Sequence, residues 1–540
     1  MLKTLDQDVS RCSRCGMCQA VCPVYRLTGH EKDTARGKLA LIDGLMQEMF
    51  SDADGTAKRL NHCLLCGSCA AGCPMNIDIL GVFLKARAIV EGFRGLPWWK
   101  RFLFRWLVAH PGRFDRLLAR AARYQSLALK KKPVPMDGSC NRLAASRLSD
   151  RHVVPLAPVP FHDMKRKPAF SPESVPGPSP VPLTGGRGIR AAFFVGCLLD
   201  KVFPETARTI VDVLETNGVQ VIVPDGQGCC GMPVLAGGDR DAFSRLMADH
   251  LVRFDPDQFD YLVTGCATCT AAIKKLWPEM TSDHEEQVRS AVERIADKTH
   301  DISAFMVNIL GVADDILSDA SIVPATPTDA NTITAPVSPV ISEAGKTTAV
   351  HDAQAAYAAP DPDRMVVTWH DPCHLAKTLG IRREPRMLIK ANPTYAFREM
   401  PDPDLCCGMG GSFNLQYYET STAIGLKKID AIRASGASVV ATGCPACMIQ
   451  LADMLARAKL PVTVRHVIDI FADIRPEIAG ISENRLDAST KLRRLRYGGT
   501  FIKRSTNFGG KVWMDRDRLF MKMLNTVLTT LSERWAERSF

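Results

Sequence analysis

At 540 residues the chain is too long for one ordinary core, and its length suggests three or four domains. Hydrophobic residues make up 46% of it, enough for most of it to fold; 68 basic against 58 acidic residues leave a net charge of +10. That excess suits an anionic surface but is no nucleic-acid signature. The start, MLKTLDQDVSRCSRCG, has no signal-peptide core, and no apolar run reaches the ~18 residues of a spanning helix. The expectation is a cytoplasmic protein, with peripheral attachment at the inner face of a membrane as the further option. Nineteen clustered cysteines favour metal or redox chemistry over disulfides.

In chain order, residues 1–95 hold two four-cysteine motifs with a helical stretch, ARGKLALIDGLMQEMF, between them. Residues 96–187 begin with GLPWWKRFLFRWLVAHPGRFDRLLARAARYQ, a basic and aromatic helical segment, and pass into a proline-rich linker. Residues 188–311 then alternate strand-like and helical runs: IRAAFFVGC, ETARTIVDVLETNG, VQVIVP, YLVTGC and ATCTAAIKKLW. This alternation predicts a parallel sheet. Residues 312–364, rich in small residues and proline, read as a flexible linker. Residues 365–478 repeat the earlier α/β unit, and 479–540 form a basic tail without a counterpart in the first copy.

The repeat rests on spacing. MVVTWHDPC answers RAAFFVGC, DLCCGMGG answers QGCCGMPV, and SVVATGCPAC answers YLVTGCATC. Between Cys197 and Cys229 lie 31 residues, and between Cys373 and Cys406 lie 32; from Cys230 to Cys266 there are 35, and from Cys407 to Cys444 there are 36. The fold class expected is α+β multidomain: a ferredoxin-like helical two-cluster module, then two duplicated α/β domains.

The first motif is RCSRCGMCQAVCPVYR, with Cys12, Cys15, Cys18 and Cys22, and the second is HCLLCGSCAAGCPMNI, with Cys63, Cys66, Cys69 and Cys73. C-x2-C-x2-C-x3-C-P is the spacing of bacterial-type ferredoxins, in which three cysteines in series hold one 4Fe–4S cube and the fourth serves the other. The expected sets are Cys12, Cys15, Cys18 and Cys73 for one cube, and Cys63, Cys66, Cys69 and Cys22 for the other. Zinc is the competing reading, but a single zinc has no use for a third cysteine in series.

Each α/β copy carries five further cysteines: Cys197, Cys229, Cys230, Cys266 and Cys269, then Cys373, Cys406, Cys407, Cys444 and Cys447. They fall at strand ends, turns and helix starts, the positions that surround the ligand crevice of an open parallel sheet. A cube needs four thiolates, so five leave either a free redox thiol or an irregular cluster. Structural burial of all five is the bland alternative. Only Cys140 remains, read as incidental. His370 and His374 flank Cys373, with Asp371 between; a proton donor or partner to sulfur and a simple turn-stabilising role are both open. Trp98, Trp99, Phe102, Phe104 and Trp106 interleave with Lys100, Arg101 and Arg105, as in a helix at a membrane interface or one packed on a partner. No G-x-G-x-x-G follows a strand, so no flavin or nicotinamide is expected on this chain.

Two such motifs followed by two C…CCG…C-x-x-C repeats resemble the iron–sulfur subunits of glycolate and lactate oxidation systems, and also the catalytic subunits of heterodisulfide reductase. GCLLDKVFPETARTIVDVLETNGVQV and WHDPCHLAKTLGI look nearest to the first group. That resemblance implies an electron-transfer subunit receiving electrons from an FAD-containing 2-hydroxy-acid dehydrogenase and passing them towards quinone. The complete five-cysteine sets look like the second group, which implies one or two non-cubane clusters and disulfide cleavage. A third reading is a zinc scaffold that binds nucleic acid through the basic tail; the expectation adopted has no nucleic-acid partner.

Overall fold

Apolar residues at helical spacing, Leu39, Ile42 and Met46 and then Ile79, Val82, Phe83, Ala86 and Val90, pack the first hundred residues as helices. The computed structural model describes residues 2–131, 139–141, 151–164, 188–282, 284–312 and 364–473. The helices that position the motifs are α1 (Met17–Val21), α2 (Ala35–Met46), α3 (Ala53–Asn61), α4 (Ser68–Ala71) and α5 (Ile79–Arg94). Thr34, Asp52 and Asp78 start α2, α3 and α5, each side chain accepting from a backbone N–H three residues on. No strand occurs among the described residues before Leu129.

α6 (Trp98–Arg101) continues into a π-helical turn, Phe102–Val108, and α7 (Pro111–Ala128) follows. Three short antiparallel strands come next: β1 (Leu129–Lys131), β2 (Ser139–Asn141) and β3 (His152–Val153). The sequence reads this region as an extended linker, and part of it is not. Arg151 is buried and donates to the Asn414 carbonyl at 2.9 Å, and the His152 N–H donates to Asp453 Oδ1 at 2.8 Å. Phe161 is buried with its ring edge-on to Phe193. Composition pointed to a linker because prolines dominate it; the few polar and aromatic anchors decide otherwise. The expected linker at 312–364 and the basic tail lie almost wholly outside the described residues.

The duplicated units have one topology. The first sheet runs β5-β4-β6-β7, from β4 (Arg190–Phe194), β5 (Gln220–Ile222), β6 (Tyr261–Thr264) and β7 (Thr299–Asp301), all parallel. The second runs β11-β10-β8-β9, from β8 (Met365–Trp369), β9 (Tyr395–Phe397), β10 (Val439–Thr442) and β11 (Thr463–His466), again all parallel. In chain order each is 2-1-3-4, so the chain reverses its direction of winding between first and third strands. Helices cover both faces, which is why Ala191–Phe194 and Val439–Thr442 are buried throughout rather than alternately. Cys197 and Cys266 follow the ends of β4 and β6, and Cys373 and Cys444 those of β8 and β10, at the switch point of each sheet.

Candidate functional site

Two hollows open in the helical region. One is lined by Cys22, Cys63, Cys66 and Cys69, the other by Cys12, Cys15, Cys18 and Cys73. The fourth cysteine of each motif therefore faces the hollow of the other motif, and Cys69 touches both, so the hollows share a wall. Both loops take the same turn: Arg14 and Leu65, two residues after the first cysteine, stand at φ 56° and 53°, a left-handed conformation costly for such side chains. The loops aim backbone N–H groups at sulfur, Leu65 to Cys63 and Tyr25 to Cys22, both at 3.5 Å. Burial pushes the Cys22 thiol up to about 11. Cys66 is instead drawn down to about 5 by a hydrogen bond from Cys406, against burial and helped by Lys377 and Ser68.

In each α/β copy the five cysteines converge. Cys197 meets Cys229, Cys229 meets Cys230, Cys230 meets Cys269 and Cys269 meets Cys266. In the second copy Cys373 meets Cys406, Cys406 meets Cys407, and Cys407 lies 3.5 Å from Cys447, which meets Cys444. Cys230, Cys407 and Cys444 are held well below the usual thiol range, in each case by hydrogen bonds from two neighbouring thiols. The glycine after each cysteine pair is forced. Gly231 and Gly408 both sit at φ 90°, and a Cβ would come within 2.6 Å of Phe243 and 2.4 Å of the Ser421 carbonyl. Cys197, Cys269, Cys373 and Cys447 lie within or against the first turns of helices, while Cys266 and Cys444 precede theirs as N-caps.

The copies meet at their cysteine edges. Ala267 N–H donates to the Gly443 carbonyl at 3.0 Å, His466 Nε2 meets the Gly265 carbonyl at 2.9 Å, and Cys266 is in hydrogen-bonding contact with Cys444. The helical module docks on the second copy at the same edge. Val24 and Leu64 pack with Cys406, Phe413 and Ile424, and Cys66 touches Cys406. Thiols thus run without a break from the hollow of Cys22, Cys63, Cys66 and Cys69 into the second copy and on into the first.

Sequence reasoning missed the residues that fasten this junction. Lys377 donates to Ser68 Oγ at 2.7 Å, and Ser68 Oγ lies 3.4 Å from Cys66 Sγ. Thr268 Oγ1 is 3.6 Å from Cys444 Sγ. Of the two histidines left open, His374 spans the junction, Nδ1 to Thr268 Oγ1 at 3.2 Å and Nε2 to the Leu65 carbonyl at 3.1 Å. His370 faces sulfur instead, grouped with Cys407 and Cys447. Asp371 serves neither; Arg386 holds it from 2.8 Å and Trp369 from 2.6 Å. Single lysines and threonines leave no mark in a sequence until the surface opposite them is known. The Cys140 side chain lies outside what the structure describes.

Comparison with known families matches residues 8–77 to the 4Fe–4S dicluster domain, and residues 191–274 and 367–452 to the cysteine-rich domain. The chain is 26% identical over 478 residues, 88% of its length and 94% of the relative's, to the probable glycolate oxidase iron–sulfur subunit of Bacillus subtilis. It is 25% identical over 284 residues, 53% of its length, to lactate utilization protein A 2 of Bacillus cereus, which that match covers to 98%. It is 29% identical over 284 residues, 52% of its length and 46% of the relative's, to a fumarate reductase (CoM/CoB) subunit of Methanothermobacter marburgensis. With a 4Fe–4S dicluster domain ahead of two cysteine-rich domains, the chain resembles the family of glycolate and lactate oxidase iron–sulfur subunits.

Proposed function

We propose that the chain is the electron-transfer subunit of a complex that oxidises lactate or glycolate, working between an FAD-containing dehydrogenase subunit and quinone. The observation that carries this reading is the unbroken run of thiols through all three modules. Cys12, Cys15, Cys18 and Cys73 would hold one 4Fe–4S cluster, and Cys22, Cys63, Cys66 and Cys69 the other, since each set surrounds one hollow. The five-cysteine sets around Cys229 and Cys406 would each hold a further iron–sulfur group, with one thiolate beyond the four of a regular cube. Such clusters supply one-electron transfer. The chain's own residues keep the modules in register: His374 and Lys377 tie the second copy to the Leu65–Ser68 loop, and the Ala267–Gly443 bond ties copy to copy. A hydroxy acid gives up two electrons with its hydride, and a flavin on a partner subunit is the device that would split them.

A second reading has its own support. The two complete sets meet face to face through Cys266 and Cys444, an arrangement suited to a thiol–disulfide reductase acting between them. One experiment separates the two. The purified, cluster-loaded chain should hold iron and acid-labile sulfide in equal amounts, above the about eight irons that two 4Fe–4S groups need. It should be inert to lactate, glycolate and disulfides until a flavoprotein partner is added. Zinc without sulfide sinks both readings; disulfide reduction at enzymic rates by the chain alone sinks the first.

A further inference from the structure

The two α/β copies agree in strand order and in all five cysteines, but not in the residue three positions before the first cysteine. In the first copy it is Phe194, in the second His370. The ladders make them equivalent. Phe194 pairs with Thr264, two residues before Cys266. Trp369 pairs with Ala441, and the His370 N–H continues the ladder to the Ala441 carbonyl at 2.9 Å, next to Thr442, two residues before Cys444.

His370 is fully buried, and neither ring nitrogen has a hydrogen-bond partner as the ring stands. A ring nitrogen and the sulfurs of Cys407 and Cys447 all lie within 4.8 Å of one another. A neutral imidazole always carries one N–H, and a buried donor without an acceptor is costly. Sulfur is the acceptor at hand. In the first copy the equivalent ring has no donor. Phe194 lies tilted against His250 with ring centres 4.9 Å apart, and a Cβ on Gly196 would lie 3.1 Å from Cys269 Sγ and 3.6 Å from the Phe194 ring. His250 itself is spent on the Cys229 carbonyl at 3.1 Å, so its N–H points at oxygen, not sulfur.

We infer that His370 donates a hydrogen bond to the sulfurs of the second copy's iron–sulfur group and makes that site easier to reduce than it would be with the first copy's phenylalanine in that place. Hydrogen bonds to cluster or ligand sulfur stabilise the more negative, reduced form and raise the potential. The site so tuned is the one that meets the helical module, through Cys66 and Cys406. His370 is here a positioning residue, not a ligand. The inference rests on the reading that the five-cysteine sets hold clusters.

The test is a redox titration of the full, cluster-loaded chain followed by electron paramagnetic resonance, on wild type, His370→Phe and His370→Gln. Phe copies the first copy's residue; Gln keeps an N–H donor. Iron and sulfide should stay unchanged in both. One paramagnetic component of His370→Phe should shift to lower potential, its reduced-to-oxidised ratio at fixed potential falling about tenfold, equivalent to about 59 mV for one electron. His370→Gln should recover at least half of that shift, and the other components should not move. Unchanged potentials in His370→Phe overturn the inference, as does loss of iron in both variants, which makes His370 a ligand. If wild type carries no iron beyond the two N-terminal groups, the proposed function of the five-cysteine sets fails and this inference with it.

Discussion

Asp301 shows how far single side chains carry the behaviour of this fold. It ends β7 and caps the next helix, accepting from Ser303 N–H at 2.8 Å, yet its other carboxylate oxygen has no partner and the residue is fully buried. Burial pushes its carboxyl up to about 7, with Glu384 adding to the rise and the backbone N–H groups of Ser303 and Ala304 opposing it. The folded state therefore favours the neutral form. Its stabilising effect is complete below the ordinary carboxylate range, about pH 4, and is lost as pH rises through about 7. Asp301→Asn keeps the cap and removes the titration. Its melting temperature should gain on wild type between pH 5 and pH 8, by an amount corresponding to on the order of 3 kcal/mol at most. A difference that stays flat with pH would refute the assignment. His370 and Phe194 stand at the same ladder position of the two copies, one with a ring N–H and one without.

Among the elements, α6 and its π-helical continuation face the wrong way for an ordinary surface helix. Two of its charges turn inward, Lys100 to Glu91 at 3.6 Å and Arg105 to Asp239 at 2.8 Å and Asp241 at 3.0 Å, while Arg101 is exposed. Phe104 and Leu107 are buried, while Trp98, Phe102 and Trp106 are 63%, 52% and 49% exposed. The last two stack at 4.8 Å, and the Arg113 guanidinium sits over the Trp106 ring at 4.9 Å. No described helix is long and apolar enough to cross a membrane. An outward aromatic stripe of this kind suits a partner subunit or an anionic lipid interface, and vesicle binding separates the two. Replacing Trp98, Phe102 and Trp106 by serine should cut co-sedimentation with anionic phospholipid vesicles at least about tenfold and leave the melting temperature within a few degrees. Undiminished binding would assign the stripe to a protein partner or to nothing.

In the whole molecule, the helical module is clamped to both copies by different means. On the second copy the seam joins thiols and apolar groups, Cys66, Cys406, Leu64 and Phe413, to the polar ties of His374 and Lys377. On the first it is a buried arginine. Arg87 donates to the carbonyls of Leu60 at 2.6 Å, Cys63 at 3.0 Å and Ala236 at 3.0 Å, joining the start of the second motif to the first copy. Nearby, Lys85 reaches Glu279 at 3.0 Å in a partly exposed pair. Arg87→Met leaves these carbonyls buried without a donor and should cost on the order of 3 kcal/mol, whereas Lys85→Met should cost less than about 1 kcal/mol. Comparable losses in the melting temperatures of the two variants would show that Arg87 is not the clamp.

The sequence by itself determined the four-cysteine motifs and the repeat. Cysteine spacing carried the two four-thiol motifs and the expectation that each fourth cysteine faces the other motif's hollow, because a loop of three cysteines in series has few ways to wrap and must send its fourth elsewhere. Alternating strand and helix runs carried two parallel α/β units, because a strand buried on both faces must be apolar throughout. The 2-1-3-4 order, the meeting of Cys266 with Cys444, the contact of Cys66 with Cys406, and the separate duties of His370 and His374 were decided only by tertiary structure. So was the packing of residues 151–164, which composition reads as linker. These are choices between surfaces far apart in the chain, and a local pattern carries no information about which distant surface will face it.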